Sequence, residues 1–308
     1  AGGTQTICQT GSATINGTIA RYGTINWSHN GGGTLTNPTT LTPTYIAVAG
    51  DAGNIVILTM TVSSTNSCAP QTATATYSVQ IDPIPVAVAG GSSVICETST
   101  ATIGGTSSAN GSILWTENGA GSITSGVNTL TPVYTASAGD AGHVVTLTMT
   151  VTSTNACNPQ TATASYTIKV DSIPVAVSGG SHAICQNGSY TLANGEATSA
   201  NGSISWAENG AGSITSGGTT LTPTYTAAAA DAGKVVTLTM TVSSTNACNP
   251  QTATATYNIQ VDSIPVAVSG GNTAICQNTS YTLLNGEATA QNGTIQWTEN
   301  GAGSITNG

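Results

Sequence analysis

The sequence predicts an all-β protein built as a tandem array of antiparallel β-sandwich domains, and three observations lead there. First, the chain repeats itself about every ninety residues. Segments 111–124, 202–215 and 293–306 are near copies, and a diverged copy begins at Thr24. A fixed period of this length marks one structural unit copied in tandem. Second, long runs alternate apolar and hydroxyl-bearing residues with period two, the pattern of a half-buried strand. Third, no apolar stripe of period 3.6 is present, while glycine and β-branched residues abound, so no helix of useful length is expected.

The second repeat shows the elements in order. Ile113 and Trp115 face one way, with Ser112 and Thr116 facing the other. Asn-Gly pairs at 110–111 and 118–119 bracket this strand and are expected to supply the positive φ angles of tight hairpin turns. Tyr134 follows in the run 130–134, and Asp140 closes a turn ahead of the longest strand. Val145, Leu147, Met149 and Val151 then form one face and Thr146, Thr148 and Thr150 the other. A turn-rich tip at 154–159 leads into a last strand with Ala162, Ala164, Tyr166, Ile168 and Val170 inward. About seven short strands with regular turns make a sandwich. Its expected core anchors are Trp27, Trp115, Trp206 and Trp297, with Tyr45, Tyr134 and Tyr225.

The repeats divide as residues 1–82, 83–171, 172–262 and 263–308. Both outer repeats read as cut inside a unit, so the chain is expected to be a stretch of a longer protein. The joins hold almost no linker: Val170-Asp171-Ser172-Ile173-Pro174 returns at 261–265, with Ile81-Asp82-Pro83-Ile84-Pro85 as a variant. Proline keeps such a segment extended. A short, restrained join repeated in near-identical form predicts a semi-rigid, elongated rod.

Only 5% of residues are charged and the net charge is −9. Nucleic-acid binding needs clustered Lys or Arg to neutralise phosphates and is excluded on that ground. No run reaches the eighteen or so apolar residues of a membrane span, so membrane insertion is not expected.

Cysteines come far apart and never as Cys-x-x-Cys, which suits disulfides in an oxidising compartment better than zinc. First cysteines stand at Cys8, Cys96, Cys185 and Cys276, and second cysteines at Cys68, Cys157 and Cys248. The constant separation of 60 to 63 residues favours pairing inside each repeat: Cys8–Cys68, Cys96–Cys157 and Cys185–Cys248, with Cys276 left open by truncation. One difficulty stands against it, since an immunoglobulin strand order would put the two cysteines at opposite ends of a domain. The rival is pairing across the join, as Cys68–Cys96, Cys157–Cys185 and Cys248–Cys276.

Several motifs together carry a family resemblance: Pro-Val-Ala-Val at 174–177, Ile-Cys at 184–185, the tryptophan strand, Leu-Thr-Pro-x-Tyr at 130–134, Asp-Ala-Gly at 140–142 and the hairpin cysteine. They resemble the PKD-like or immunoglobulin-like repeats of giant Bacteroidota cell-surface adhesins, including the gliding-motility adhesins that leave by type IX secretion. The resemblance implies an immunoglobulin-like fold and a stalk at the bacterial cell surface that projects an adhesive tip for attachment or gliding. It also implies O-linked glycans at Ser172 and Ser263, where Asp-Ser is followed by a methyl-bearing residue; Asp82-Pro83-Ile84 lacks the hydroxyl. The expected partners are neighbouring repeats, with lateral, surface or glycan contacts besides.

No catalytic or metal site is expected, and no cofactor. His29, His143 and His182 fall at unrelated places in the repeat, whereas repeated chemistry would repeat its ligands. No Asp-x-Asp run, phosphate loop or nucleophile elbow occurs. The alternative to a stalk is a repeated glycan- or surface-binding module acting by avidity. That reading needs an exposed aromatic at the same place in every repeat.

Overall fold

The computed structural model describes residues 2–307, and nearly all regular structure in it is strand. The chain divides into two compact units, residues 1–172 and 173–308. Three hydrophobic cores lie within residues 7–81, 87–170 and 176–261.

In the second repeat, the cysteine strand Ser92–Cys96, the last strand Thr161–Asp171, the long strand Val144–Ser153 and the tryptophan strand Gly111–Glu117 form one four-stranded sheet. Against it stand a three-stranded sheet of Thr100–Thr102, Val133–Thr135 and Ser122–Ser125, and the pair Val86–Val88 with Ser107–Ala109. The third repeat has the same three sheets, and the first has the four-stranded and three-stranded sheets in the same order. This is an immunoglobulin-like sandwich, with one departure from the antiparallel expectation: Ser92–Cys96 runs parallel to Thr161–Asp171. The chain enters on one sheet at Val86–Val88 and crosses to the other, still travelling from the entry pole to the exit pole, as the last strand also does. Cys96 therefore sits opposite Asp171 at the exit pole.

The alternation holds along the long strands. Val145, Leu147, Met149 and Val151 are buried while Thr146, Thr148 and Thr150 are half-exposed. Trp115 is buried, and its Nε1 donates to the Thr129 carbonyl at 2.9 Å, so the indole satisfies its one donor inside the sandwich. Trp27 is placed alike, Trp206 is half-buried, and Tyr45, Tyr134 and Tyr225 are fully buried. Trp297 departs from the expectation and is 43% exposed. Its sisters are covered by a methionine on the long strand, as Trp115 is by Met149. That strand begins 29 residues after Trp115, and only eleven residues of the sequence follow Trp297. The fourth repeat has one strand pair among the described residues, Val266–Ser269 with Ala288–Gln291.

The Asn-Gly pairs work differently from the expectation. Asn110 takes the left-handed conformation with φ 62°, but Gly111 does not. A Cβ on Gly111 would lie 2.3 Å from the Thr152 carbonyl oxygen, so glycine is required there by close strand approach. Neither Asn118 nor Gly119 has positive φ. Asn118 instead accepts a hydrogen bond at Oδ1 from the Thr146 amide, at 2.7 Å.

Candidate functional site

The first two repeats meet at a join built from the exit pole of one and the hairpin tip of the other. In the first repeat the cysteine strand Thr4–Cys8 runs parallel to Thr72–Asp82, which sets Cys8 beside Asp82. The chain then passes through Pro83-Ile84-Pro85 into the second repeat, whose long strands carry residues 154–160 back toward the same place. There Cys157 bonds to Cys8, with Cα atoms 4.6 Å apart and 149 residues between them in sequence.

This corrects the expected pairing. Cys8 does not bond to Cys68, nor Cys157 to Cys96 or Cys185. Cys68, Cys185 and Cys276 are exposed free thiols, while Cys96 and Cys248 are disulfide-bonded. The reason is the length of a domain. Within one repeat the two cysteines lie at opposite ends of an eleven-residue strand. At ~3.3 Å per residue that is about 33 Å, far beyond the ~4–7 Å between Cα atoms that a disulfide spans. The tip of the following repeat, in contrast, comes directly to the exit pole.

Polar contacts surround the bridge. The Ala156 amide donates to Asp82 Oδ2 at 3.0 Å, Asn155 Nδ2 to the Pro83 carbonyl at 2.9 Å, and Gln160 Nε2 to Thr10 Oγ1 at 2.9 Å. Gln9 holds the linker from the first repeat, accepting the Ile84 amide at Oε1 at 3.3 Å. Asn110 holds it from the second, donating to the Ile84 carbonyl at 2.9 Å. In the other unit, Gln186 accepts the Ile264 amide and Asn292 donates to the Ile264 carbonyl in the same way. Cys157 is 2% exposed and Cys8 8%, so the sulfurs are screened from exchange with dissolved thiols. Ser172 and Ser263, the expected glycan sites, are both half-buried.

A second polar cluster recurs inside every sandwich. Tyr134 Oη donates to Asp140 Oδ2 at 2.8 Å. Asp140 also accepts from the amides of Ala120 at 2.6 Å, Gly121 at 3.0 Å and Ser137 at 3.0 Å. Tyr45 with Asp51 and Tyr225 with Asp231 repeat it. The turn expected of this Asp is present, but the carboxylate also ties the tyrosine to a loop of the facing sheet. That loop explains the second glycine of Asn-Gly-Ala-Gly: a Cβ on Gly121 would lie 2.2 Å from the Thr135 carbonyl and 2.6 Å from the Tyr134 hydroxyl. Burial raises the Asp140 pKa, but the amide and tyrosine donors outweigh it and hold the carboxyl below its ordinary value. Asp51 and Asp231 are lowered in the same way. Burial and the adjacent carboxylate push the Tyr45 hydroxyl up to about 12.

The histidines pack rather than converge. His29 lies edge-on to Tyr45 and His182 stacks on Tyr190. Among the described residues no group of three or more His, Cys, Asp or Glu side chains is arranged to hold a metal ion.

No protein-family model matches the chain, and no curated protein does. Among solved structures the chain is similar to mouse protocadherin-24 EC1–3, with 12% identity over 85% of this chain and 96% of that one, at a TM-score of 0.47. Titin I67–I69 matches with 13% identity over 84% and 95%, at 0.45. Protocadherin γB7 EC3–6 matches with 12% identity over 87% and 75%, also at 0.45. The fold assignment rests on the strand order described above.

Proposed function

We propose that the chain is a stalk segment of a large extracellular adhesin or surface filament, holding an adhesive tip away from a bacterial surface for attachment or gliding. The observation that carries this reading is the join, where one repeat is bonded covalently and by side-chain clamps to the next. A buried disulfide of this kind suits an oxidising, extracellular setting. An exit pole that receives the next hairpin tip favours a regular bend and twist, and hence a semi-rigid rod. The alternative of a glycan- or surface-binding module needs exposed aromatics in register, and Trp27 and Trp115 are buried. The stalk has no catalytic role and needs no cofactor. Its partners are the neighbouring repeats, with lateral contacts between arrays. Ser172 and Ser263 carry O-linked glycans where the source has the pathway, and glycopeptide mapping of natively purified protein tests that.

Small-angle scattering on chains of two, three and four repeats tests the stalk itself. The expected result is a maximum dimension that grows by a constant step per repeat. A broad distribution of bent forms removes the reading.

A further inference from the structure

The join at Cys8 and Cys157 is a hairpin tip seated on an exit pole. Among the described residues the chain also carries a tip and a pole whose cysteines are free and exposed: the tip of the first repeat at Cys68 and the pole of the third at Cys185. We propose that these two surfaces mate between copies of the chain, the first repeat of one molecule docking on the exit pole of another's third repeat, with a disulfide from Cys68 to Cys185. The remaining thiol, Cys276, has no strand beside it among the described residues, and Cys96 and Cys248 are already disulfide-bonded.

Both halves match the join already formed. Ser181–Cys185 runs parallel to Thr252–Asp262 and sets Cys185 opposite Asp262, as Cys8 lies opposite Asp82. The Gln186 amide donates to the Asp262 carbonyl at 2.8 Å, and the Gln9 amide to the Asp82 carbonyl at 2.9 Å. On the tip, the Ala69 amide donates to the Asn66 carbonyl at 3.0 Å, as the Asn158 amide does to that of Asn155. Asn66 and Gln71 stand where Asn155 and Gln160 make their contacts. Asp262 and Asn187 stand where Asp82 and Thr10 receive them. The Asn110 clamp alone has no counterpart, because Tyr22 occupies its place.

A strand exchange makes room for the incoming repeat. In the second and third repeats an entry pair flanks the core, Val86–Val88 with Ser107–Ala109 and Val175–Ser178 with Ala197–Ala200. Ala87 and Ala176 of these pairs pack on the cores. Among the described residues the first repeat has no such pair. Its residues 19–21, the counterpart of 107–109, stand unpaired beside the exposed Ile19 and Tyr22, with Ala20 against the core. Val266–Ser269 has the sequence of an entry strand and leaves the Cys185 pole directly through Ile264-Pro265. It pairs with Ala288–Gln291, and its Ala267 is exposed. Pairing instead with residues 19–21 of a second copy keeps a ladder of similar length and buries Ala267 on a formed core, a case of strand addition.

The covalent step uses a small disulfide as oxidant. The Cys68 thiolate attacks oxidised glutathione and releases one glutathione thiolate; the Cys185 thiolate then attacks the mixed disulfide at the Cys68 sulfur and releases the second. Two protein thiols are oxidised, one glutathione disulfide is reduced, and the two protons pass to the released thiols. The test incubates the whole chain in a glutathione redox buffer over a range of protein concentrations, followed by non-reducing electrophoresis and peptide mapping. The expected result is a ladder of covalent multimers that grows with protein concentration, with Cys68–Cys185 as its main cross-linked peptide. Cys68→Ser and Cys185→Ser should each stay monomeric alone, and their mixture should stop at a dimer. Both side chains are exposed, so neither change disturbs a core. Gln71→Ala, away from the sulfur, should lower the equilibrium constant for linkage about fivefold, which random collision of thiols would not show. Monomer at every concentration, Cys68 joined chiefly to Cys276 or to another Cys68, or no effect of Gln71→Ala would overturn the proposal. The inference goes beyond the stalk reading and does not rest on it: failure here leaves the scattering test of the stalk unaffected.

Discussion

The hairpin tips of the first and second repeats have nearly the same sequence and different surroundings. In the second repeat, Asn155 Oδ1 accepts from Ser153 Oγ at 2.7 Å and from the Cys157 amide at 2.8 Å. In the first, Asn66 Oδ1 accepts from Ser64 Oγ at 2.8 Å and from the Cys68 amide at 2.9 Å. The backbone bonds also agree: Gln160 N to Cys157 O, and Gln71 N to Cys68 O. Yet Cys157 is buried against the first repeat, while Cys68 is exposed. The tip is therefore shaped by its own residues and not by what it touches. A part that arrives already formed loses little conformational freedom on docking, which favours a tight join.

The sharpest way to break this comparison is to remove each cysteine in turn. Cys157→Ser should lower stability toward denaturant by about 5 kcal/mol, the chain-entropy value for a loop of this size, while Cys68→Ser should leave it unchanged. Equal effects would mean that the two tips do not differ as described. Denaturant titration of the oxidised proteins reads both.

The buried Tyr–Asp cluster supplies a control that is alike in the two repeats. Asp51→Asn and Asp140→Asn should each cost about 2 kcal/mol, since several buried donors lose a charged acceptor. The pH dependence follows from the lowered carboxyl. Its stabilisation is complete above the ordinary Asp range near ~4 and is lost as pH falls through the folded-state value. The raised Tyr45 hydroxyl acts at the other end: above pH ~10 the unfolded chain ionises first, so stability falls as pH rises toward 12. Thermal melts across pH should show both slopes in the wild type and a reduced acid slope in Asp51→Asn.

A finer contrast lies in the tip asparagines. Both hold the turn, but only Asn155 also reaches the Pro83 carbonyl. Asn155→Ala should therefore cost about 1 kcal/mol more than Asn66→Ala by the same titration. The smallest effect belongs to thiol labelling. Iodoacetamide on the native, unreduced protein should modify Cys68, Cys185 and Cys276 with no change in melting, and should leave Cys8 and Cys157 untouched. Mass spectrometry of the labelled peptides decides it.

Much of each sandwich was legible in the sequence. The alternation of Val145 to Val151 and the burial of Trp115 and Tyr134 need only neighbours in one sheet and across one core. The join was harder to read. Equal spacing of the cysteines suggested pairs within a repeat, because spacing records the period and not the pole at which a residue ends. The pole depends on a parallel pairing, Ser92–Cys96 with 167–171, that alternation alone cannot reveal. The two cysteines of a repeat lie at opposite ends of the domain, which speaks against a pair within it, and the bond runs instead from the first cysteine, Cys8, to the next repeat's tip at Cys157. The Asn-Gly pairs misled for a related reason: glycine in Gly111 and Gly121 answers crowding by another strand, which a local turn rule does not consider.

The first repeat carries Cys8 at its exit pole, and the second carries Cys157 at its tip. The contact between the first two repeats is thus heterologous, matching an exit pole to a hairpin tip, unlike surfaces that a two-fold pair would not bring together.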